Sequence, residues 1–276
     1  QCLNQIGVAG TRLKYKKDQE MVKDYLVGDF GYIPDLNDQL DGIERRLNVT
    51  TEEQFTLLRS LQKNRRLIVS GGAGTGKTMI AVEHAKRLSD QGNRVLFLSF
   101  NKLIKNYLSR TQACENITYD NIDNFLYRAV HEEGGYQVPE DGLSGFFGHQ
   151  LPEEFIGQDG IPEEERFDCL VVDEAQDILC DDRVLCLDLM VKGGLGKGRV
   201  AIFYDEMQNI FNPGMSKDLD DNVDSLLESY GFASFELTKN CRSTRRIVDF
   251  LNAASGISAV AESEIDGLPI TIIPYE

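Results

Sequence analysis

The fold of this chain is decided by the stretch Leu67-Ile68-Val69-Ser70-Gly71-Gly72-Ala73-Gly74-Thr75-Gly76-Lys77-Thr78. Its apolar start predicts a buried strand, and the pattern of residues 77–90 predicts a helix. The Gly-x4-Gly-Lys-Thr segment between them is typical of a phosphate-binding loop, because glycines let successive backbone N–H groups point at phosphate oxygens. The helix start adds its positive dipole end. The stretch therefore predicts a nucleotide site.

Each part of this loop has an expected task. Lys77 should reach the β- and γ-phosphates, and the Thr78 hydroxyl should be a ligand of Mg²⁺. The backbone cradle is expected to comprise Gly72, Ala73, Gly74, Thr75 and Gly76. ATP and Mg²⁺ are therefore the predicted cofactors.

Two carboxylates follow a second apolar run, Leu170-Val171-Val172. Asp173 and Glu174 should lie at the carboxyl edge of a buried strand, where ligands bind in doubly wound sheets. Asp173 is suited to hold Mg²⁺ through its water shell. Glu174 is suited to accept a proton from an attacking water. The pair predicts that the bound ATP is hydrolysed.

The remaining apolar runs indicate the fold class. Strands are predicted at 67–69, 95–98, 170–172 and 200–204, with helical segments between the first three. Continuous apolar strands separated by helices predict a parallel α/β sheet covered on both faces. Residues 139–167 carry eight acids against one base, Arg166, and predict a loop-rich insertion or small subdomain.

The net charge limits the partners that the chain can bind, and the cysteine pattern indicates its cellular compartment. A net charge of −16 disfavours strong non-specific DNA affinity from this chain alone, although a local groove can still be basic. No apolar run approaches the ~20 residues that span a bilayer, and the start of the chain does not have the pattern of a signal peptide. Six cysteines without a Cys-x-x-Cys motif favour a reduced, cytoplasmic protein.

The acidic box is more specific than an Asp-Glu pair. Asp173-Glu174-Ala175-Gln176-Asp177, together with the phosphate loop, resembles the superfamily 1 helicases of the UvrD/Rep type. It particularly resembles bacterial proteins that join such a motor to a NERD-type nuclease-related region. Four further elements occur along the chain in the same order as in that family. They are Gln54, Phe97–Lys102, Asp205-Glu206-Met207-Gln208 and Asn240-Cys241-Arg242-Ser243.

The resemblance assigns roles to these segments. It implies that Gln54 contacts adenine, that Gln208 senses the γ-phosphate and that Arg242 stabilises transition-state charge. Gln54 has an alternative role in a capping box, Thr51-Glu52-Glu53-Gln54, at the start of a helix. The implied nucleic-acid contacts are Phe100, Asn101 and Lys102.

Two departures from the family pattern concern aromatic side chains. The aromatic residue that stacks on adenine is replaced by Cys241, which puts base selectivity in doubt. The chain has no Trp, and Phe211-Asn212-Pro213 stands where the family has a stacking platform for a DNA base.

The resemblance also implies a domain organisation. Residues 51–237 are predicted to form a RecA-like ATP-binding domain with an acidic insertion at about 120–166, after an extension or preceding-domain tail at 1–50. Residues 238–276 are predicted to start a truncated second lobe, with a first strand at 268–273. Because a motor opens and closes two lobes around ATP, the chain is expected to hydrolyse ATP slowly without its C-terminal motor lobe.

Two functions remain open, and a third is set aside. The leading one is the ATP-hydrolysing lobe of a superfamily 1 DNA helicase-like motor that acts on single-stranded DNA. The alternative is a regulatory ATPase switch that controls a partner or an attached nuclease without unwinding, which the acidic charge and lost aromatics favour. A nuclease is disfavoured because residues 1–50 show no carboxylate–lysine constellation.

Overall fold

The centre of the fold is a six-stranded parallel sheet. The computed structural model describes residues 52–131, 145–206, 213–255 and 260–261. The strands are β1 (Arg66–Gly71), β2 (Val95–Ser99), β3 (Ile117–Asn121), β4 (Cys169–Asp173), β5 (Arg199–Tyr204), β6 (Ala233–Leu237), β7 (Lys239–Asn240) and β8 (Val260–Ala261). The main sheet has the order β3-β2-β4-β5-β1-β6, and β7 pairs with β8 in a separate two-stranded sheet. All pairs are parallel.

Helices follow most of the strands. In chain order, the α-helices of the described residues are α1 (Glu52–Lys63), α2 (Lys77–Asp90), α3 (Lys102–Thr111), α4 (Ile122–Val130), α5 (Leu151–Gly157), α6 (Asp181–Met190), α7 (Gly194–Lys197), α8 (Pro213–Glu228) and α9 (Arg245–Ser255). A π-helical turn, Phe146–Gln150, leads directly into α5, and single 3₁₀ turns lie at Glu163–Glu165 and Ala175–Asp177.

Alternate residues of the central strands enter two separate hydrophobic clusters. On β1, for example, Ile68 belongs to one cluster, whereas Leu67 and Val69 belong to the other. The period of two sends successive side chains to opposite faces, so strands that are apolar throughout need a cover on both sides.

The two faces are covered by different helices. The first cluster receives side chains from α4, α5, α6 and α8, and the second receives them from α1, α2 and α3. This arrangement confirms the predicted α/β class with a parallel sheet and helices on both faces.

The described part of the predicted insertion packs onto the sheet. Ile122 and Leu126 of α4, and Leu151 and Phe155 of α5, are fully buried in the first cluster. Acidic side chains of the same segment, such as Glu153 and Glu163, lie outside that cluster. The segment therefore contributes one helical layer of the core while it carries negative charge on its outer side.

The end of the described chain forms a small βαβ unit. Strands β7 and β8 pair with each other, and α9 lies between them in the sequence. The boundaries of a second lobe at 238–276 stay a prediction, and the predicted strand at 268–273 lies outside the described residues, as do residues 1–50. Within the described ranges, no helix has the length and apolar character needed to cross a bilayer.

Removal of the Phe155 ring tests whether the insertion is part of the core. Phe155→Ala should lower the free energy of unfolding by roughly 3–5 kcal/mol, because it leaves a cavity under the sheet. The matched control is Leu103→Ala, whose side chain is 78% exposed and should change stability by less than about 0.5 kcal/mol. Urea unfolding measures both. Equal effects of the two substitutions would contradict the packing of α5 described above.

Candidate nucleotide site

Parallel pairing brings the ends of three strands to one edge of the sheet. β5 lies between β1 and β4, and Ser70 of β1 is paired with Tyr204 of β5. The phosphate loop leaves the end of β1, Asp173 ends β4, and Asp205 follows the end of β5. Residues that are far apart in the sequence therefore surround a single site.

The phosphate loop depends on two glycines with positive φ. Gly74 has φ +83° and Gly76 has φ +89°, in the left-handed region that favours glycine. Gly76 is also the N-cap of α2, which starts at Lys77. A Cβ atom on Gly76 would lie 2.5 Å from Nε2 of Gln54, so a side chain there would displace the Gln54 amide as well as strain the backbone.

Lys77 is buried inside the loop and is held by three oxygen atoms. Its Nζ atom donates to the carbonyl oxygens of Gly71 at 2.6 Å and Gly72 at 3.0 Å. It also forms an ion pair with Asp205 at 3.1 Å, and the two side chains are only 7% and 1% exposed. The sequence-based predictions assigned Asp205 no separate role, although its position directly after an apolar strand could have indicated one.

Asp173 lies completely buried beside Thr78. Neither of its carboxylate oxygens has a well-aligned hydrogen bond from any described residue. Burial, and then the nearby Glu174 carboxylate, raise the pKa of Asp173 to about 7, against smaller opposing effects of Thr78 and Lys77. A buried carboxylate whose charge is so weakly compensated fits a bound cation, because opposite charge would offset its lost hydration.

The residues at this site fit Mg²⁺ only together with a nucleotide. The described part of the chain contains no cluster of three or more His, Cys, Asp or Glu side chains that could hold a metal. Mg²⁺ usually keeps several waters and takes one or two carboxylates plus substrate phosphates. Asp173 and Thr78 match that donor set.

Glu174 has a strained backbone. Its φ is +52° and its ψ is +46°, a left-handed conformation that is uncommon outside glycine and occurs often at functional sites. The half-buried carboxylate accepts a hydrogen bond from Nε2 of Gln176 at 2.8 Å. Gln176 in turn accepts one from the backbone N–H of Asp205 at 3.0 Å.

Gln54 reaches the phosphate loop from α1. Its Nε2 atom donates to the Thr75 carbonyl oxygen at 2.9 Å and lies 3.5 Å from Sγ of Cys241. The side chain therefore links the loop to the arginine-bearing segment. Its predicted contact with adenine stays a prediction.

The segment Asn240–Ser243 rests on the same loop. Nδ2 of Asn240 donates to the Ala73 carbonyl oxygen at 2.8 Å, and the Cys241 N–H donates to the Gly74 carbonyl oxygen at 2.9 Å. Oδ1 of Asn240 accepts from the N–H groups of Arg242 at 3.1 Å and Ser243 at 2.8 Å. Asn240 thus fixes the backbone that carries Arg242, a task that the sequence did not reveal.

The structure describes only one of the two side chains, Arg242 and Gln208, that were predicted to act on the γ-phosphate. Arg242 is exposed, at one end of the segment that Asn240 holds against the loop. Gln208 lies outside the described residues, as does Phe211. The structure therefore locates Arg242 next to the nucleotide site, and both roles stay predictions.

The predicted nucleic-acid contacts follow β2 at the same edge of the sheet. Phe100 is 40% exposed, and the Arg183 guanidinium lies 5.7 Å from the centre of its ring. Asn101 caps α3, since its Oδ1 accepts from Leu103 N–H at 2.8 Å and Ile104 N–H at 3.4 Å. Lys102 is exposed. The Asn101 side chain is thus committed to the helix, while Phe100 and Lys102 face solvent.

A parallel sheet with a phosphate loop after β1 and a buried acidic residue at the end of β4 defines a RecA-like P-loop NTPase fold. A family model, "Schlafen group 3, DNA/RNA helicase domain", matches residues 64–273. The chain belongs to this family. The match confirms the predicted resemblance to superfamily 1 helicase-like ATP-binding domains.

Several solved structures are similar over part of their length. Bacteroides Pif1 bound to single-stranded DNA has 17% identity and a TM-score of 0.42, with 74% of this chain and 45% of that chain covered. Pif1 helicase from Candida albicans has 16% identity and a TM-score of 0.38, with coverages of 74% and 43%. AMPPCP-bound DnaA from Aquifex aeolicus has 14% identity and a TM-score of 0.38, with coverages of 74% and 53%. The chain thus spans about half the length of these structures.

The buried Asp173 predicts a pH-dependent cost to stability. Its folded-state pKa of about 7 lies above the ordinary value of 3.8, so stability falls as pH rises from about 4 to 7. Asp173→Asn cannot ionise and should therefore be more stable than the parent at pH 8, by roughly 4 kcal/mol, with a smaller gap at pH 5.

Urea unfolding of both proteins at pH 5 and pH 8, without nucleotide or Mg²⁺, measures this difference. The exposed Asp221 provides the control Asp221→Asn, which should show a much smaller gap at pH 8. A stability gain from Asp173→Asn that is the same at both pH values would exclude ionisation of Asp173 as its cause.

Proposed function

We propose that this chain is the ATP-binding and hydrolysing lobe of a superfamily 1 helicase-like motor that acts on single-stranded DNA. The observation that carries the proposal is the meeting of Lys77, Asp173 and Glu174 at one sheet edge. Lys77 is buried in a loop shaped for phosphate, Asp173 is completely buried without a well-aligned hydrogen bond, and Glu174 follows it on a strained backbone. Together they supply the parts that phosphoryl transfer to water requires.

Each of these side chains would perform a separate step. Lys77 would exchange its loop carbonyls and Asp205 for the β- and γ-phosphates of ATP. Thr78 and Asp173 would hold Mg²⁺, which neutralises charge on the phosphates when bound. Glu174 would accept a proton from the attacking water, because it follows Asp173 directly and remains outside the cation site.

Three further side chains complete the proposed reaction. Arg242 would stabilise charge on the γ-phosphate, and its support is the hydrogen bonding of its segment to the phosphate loop. Gln54 would contact adenine, supported by its position between Thr75 and Cys241. Gln208 would sense the γ-phosphate, a role that rests on the family motif alone.

Single-stranded DNA is the proposed polymer. Phe100 offers an exposed ring at the end of β2, and Lys102 offers a positive charge beside it. Stacking of bases on aromatic rings and contact of phosphates with cations are the usual means of binding single strands. The structure of Bacteroides Pif1, to which this chain is similar, contains single-stranded DNA.

A second RecA-like lobe would be needed for movement along DNA. Helix α9 presents Ile247, Phe250 and Leu251 to solvent with exposed fractions of 44%, 40% and 49%. An apolar face of this kind is suited to contact with another folded element. We therefore propose that the lobe acts with a further motor lobe and hydrolyses ATP slowly in its absence.

A regulatory ATP switch is the second candidate. Its support is limited to Cys241, which lies beside Gln54 at the position of the family's stacking aromatic residue, and to the net charge of −16, whereas the helicase family match favours the motor. A switch that acts on a protein partner should hydrolyse ATP at a rate independent of single-stranded DNA. A motor should be stimulated by DNA in a manner that weakens as salt rises.

Two substitutions test the assigned roles. Lys77→Ala should weaken ADP binding strongly, because the loop loses its phosphate-facing cation. Glu174→Gln should retain ADP binding and lower turnover by about 10²–10⁴-fold, since the proton acceptor is gone. The measurements are ADP affinity by calorimetry and ATP turnover, each with and without single-stranded DNA.

The control for the lysine is Lys197→Ala, which removes an exposed cation away from the loop and should match the parent. Binding of ADP by the parent with turnover that needs Glu174 would support the proposed site. Unchanged ADP affinity in Lys77→Ala, or full turnover in Glu174→Gln, would contradict it. DNA stimulation of the parent would favour the motor over the switch.

A further inference from the structure

Gln176 lies two residues after Asp173-Glu174 and is almost completely buried. Its side chain is 5% exposed, in the 3₁₀ turn Ala175–Asp177 that follows β4. Its amide uses both ends, because Nε2 donates to the Glu174 carboxylate at 2.8 Å and Oε1 accepts from Asp205 N–H at 3.0 Å. One side chain therefore joins the end of β4 to the end of β5.

We propose that Gln176 is a positioning residue, which holds the Glu174 carboxylate for proton transfer and fixes it to the backbone at Asp205. The inference rests on the proposed function, since it concerns how the general base of that reaction is oriented. Gln176 acts through Glu174 and touches neither ATP nor water in this proposal. Its chemical contribution is a hydrogen bond that selects one orientation of a carboxylate.

Glu174 needs such a partner because its backbone alone does not determine where the carboxylate points. A glutamate has three side-chain torsions, and the residue stands in a left-handed conformation at the point where β4 ends. A general base must lie within hydrogen-bond reach of the proton that it removes. A fixed donor on one carboxylate oxygen leaves the other oxygen available for that task.

The oxygen of the Gln176 amide connects Glu174, the proposed general base, to the part of the site that contains Lys77 and the phosphate loop. Asp205 forms the buried ion pair with Lys77, while its N–H group donates to Gln176. The contacts therefore run from Glu174 through Gln176 and Asp205 to Lys77, across the ends of β4, β5 and β1. A movement of Asp205 would therefore shift the Gln176 side chain and, through its hydrogen bond, the Glu174 carboxylate.

An amide suits this position better than similar side chains. Glutamate would keep an acceptor for Asp205 N–H but would place a second carboxylate against Glu174, where like charges repel. Methionine has a similar length and would offer neither hydrogen bond. Gln176→Glu and Gln176→Met therefore separate the bond to Asp205 from the bond to Glu174.

The test compares these two variants with the parent 276-residue chain. Both should lower ATP turnover by about 10–100-fold, the usual cost of losing a residue that orients a reacting group, while ADP affinity stays within about twofold. The control is Gln62→Glu, which introduces the same charge at an exposed site on α1 and should match the parent. Parent-like turnover in Gln176→Glu would overturn the proposal, because the bond to Asp205 would then suffice.

Because the parent chain is expected to hydrolyse ATP slowly, its affinity for a transition-state analogue provides a second measurement. ADP with aluminium fluoride and Mg²⁺ mimics the transferring phosphoryl group, so both Gln176 variants should bind it about tenfold or more weakly relative to ADP. Equal loss of ADP and analogue affinity would overturn the positioning role in favour of a structural one. A parent chain that binds neither would overturn the proposed function, and this inference with it.

Discussion

The ion pair between Lys77 and Asp205 is the contact around which the site is organised. It forms because β1 and β5 run parallel and end side by side, which brings the phosphate loop after β1 close to the first residue after β5. Two charges at such depth are tolerated only when they are paired and hydrogen-bonded. Lys77 satisfies this condition with two loop carbonyls as well, so the loop is held closed around the group that should later meet phosphate.

The two carboxylates at the end of β4 differ in environment and are therefore suited to different tasks. Asp173 is buried without a well-aligned hydrogen bond, and its pKa is raised to about 7. Glu174 is half-buried, on a left-handed backbone, with Gln176 as a hydrogen-bond donor. Division of work between adjacent acids commonly depends on such differences in burial and bonding.

The arginine-bearing segment is tied to the phosphate loop at several points. Asn240 and Cys241 bond to loop carbonyls, and a Cβ atom on Gly74 would lie 2.7 Å from Nδ2 of Asn240. Gln54 approaches the loop from α1, beside Gly76 and Cys241. Two separate parts of the chain thus constrain one short loop, so a movement of the loop on nucleotide binding would affect both.

The sequence by itself determined the strand–loop–helix at 66–90, the acidic strand and the α/β class, because these depend on local period and on glycine at particular positions. It did not show that β5 lies between β1 and β4, since strand order is set by long-range pairing. For the same reason it missed the bonds of Asp205, Gln176 and Asn240, whose partners include residues 29 to 167 positions away. Only the tertiary structure decided these contacts, because parallel pairing and burial bring distant polar groups to the same edge.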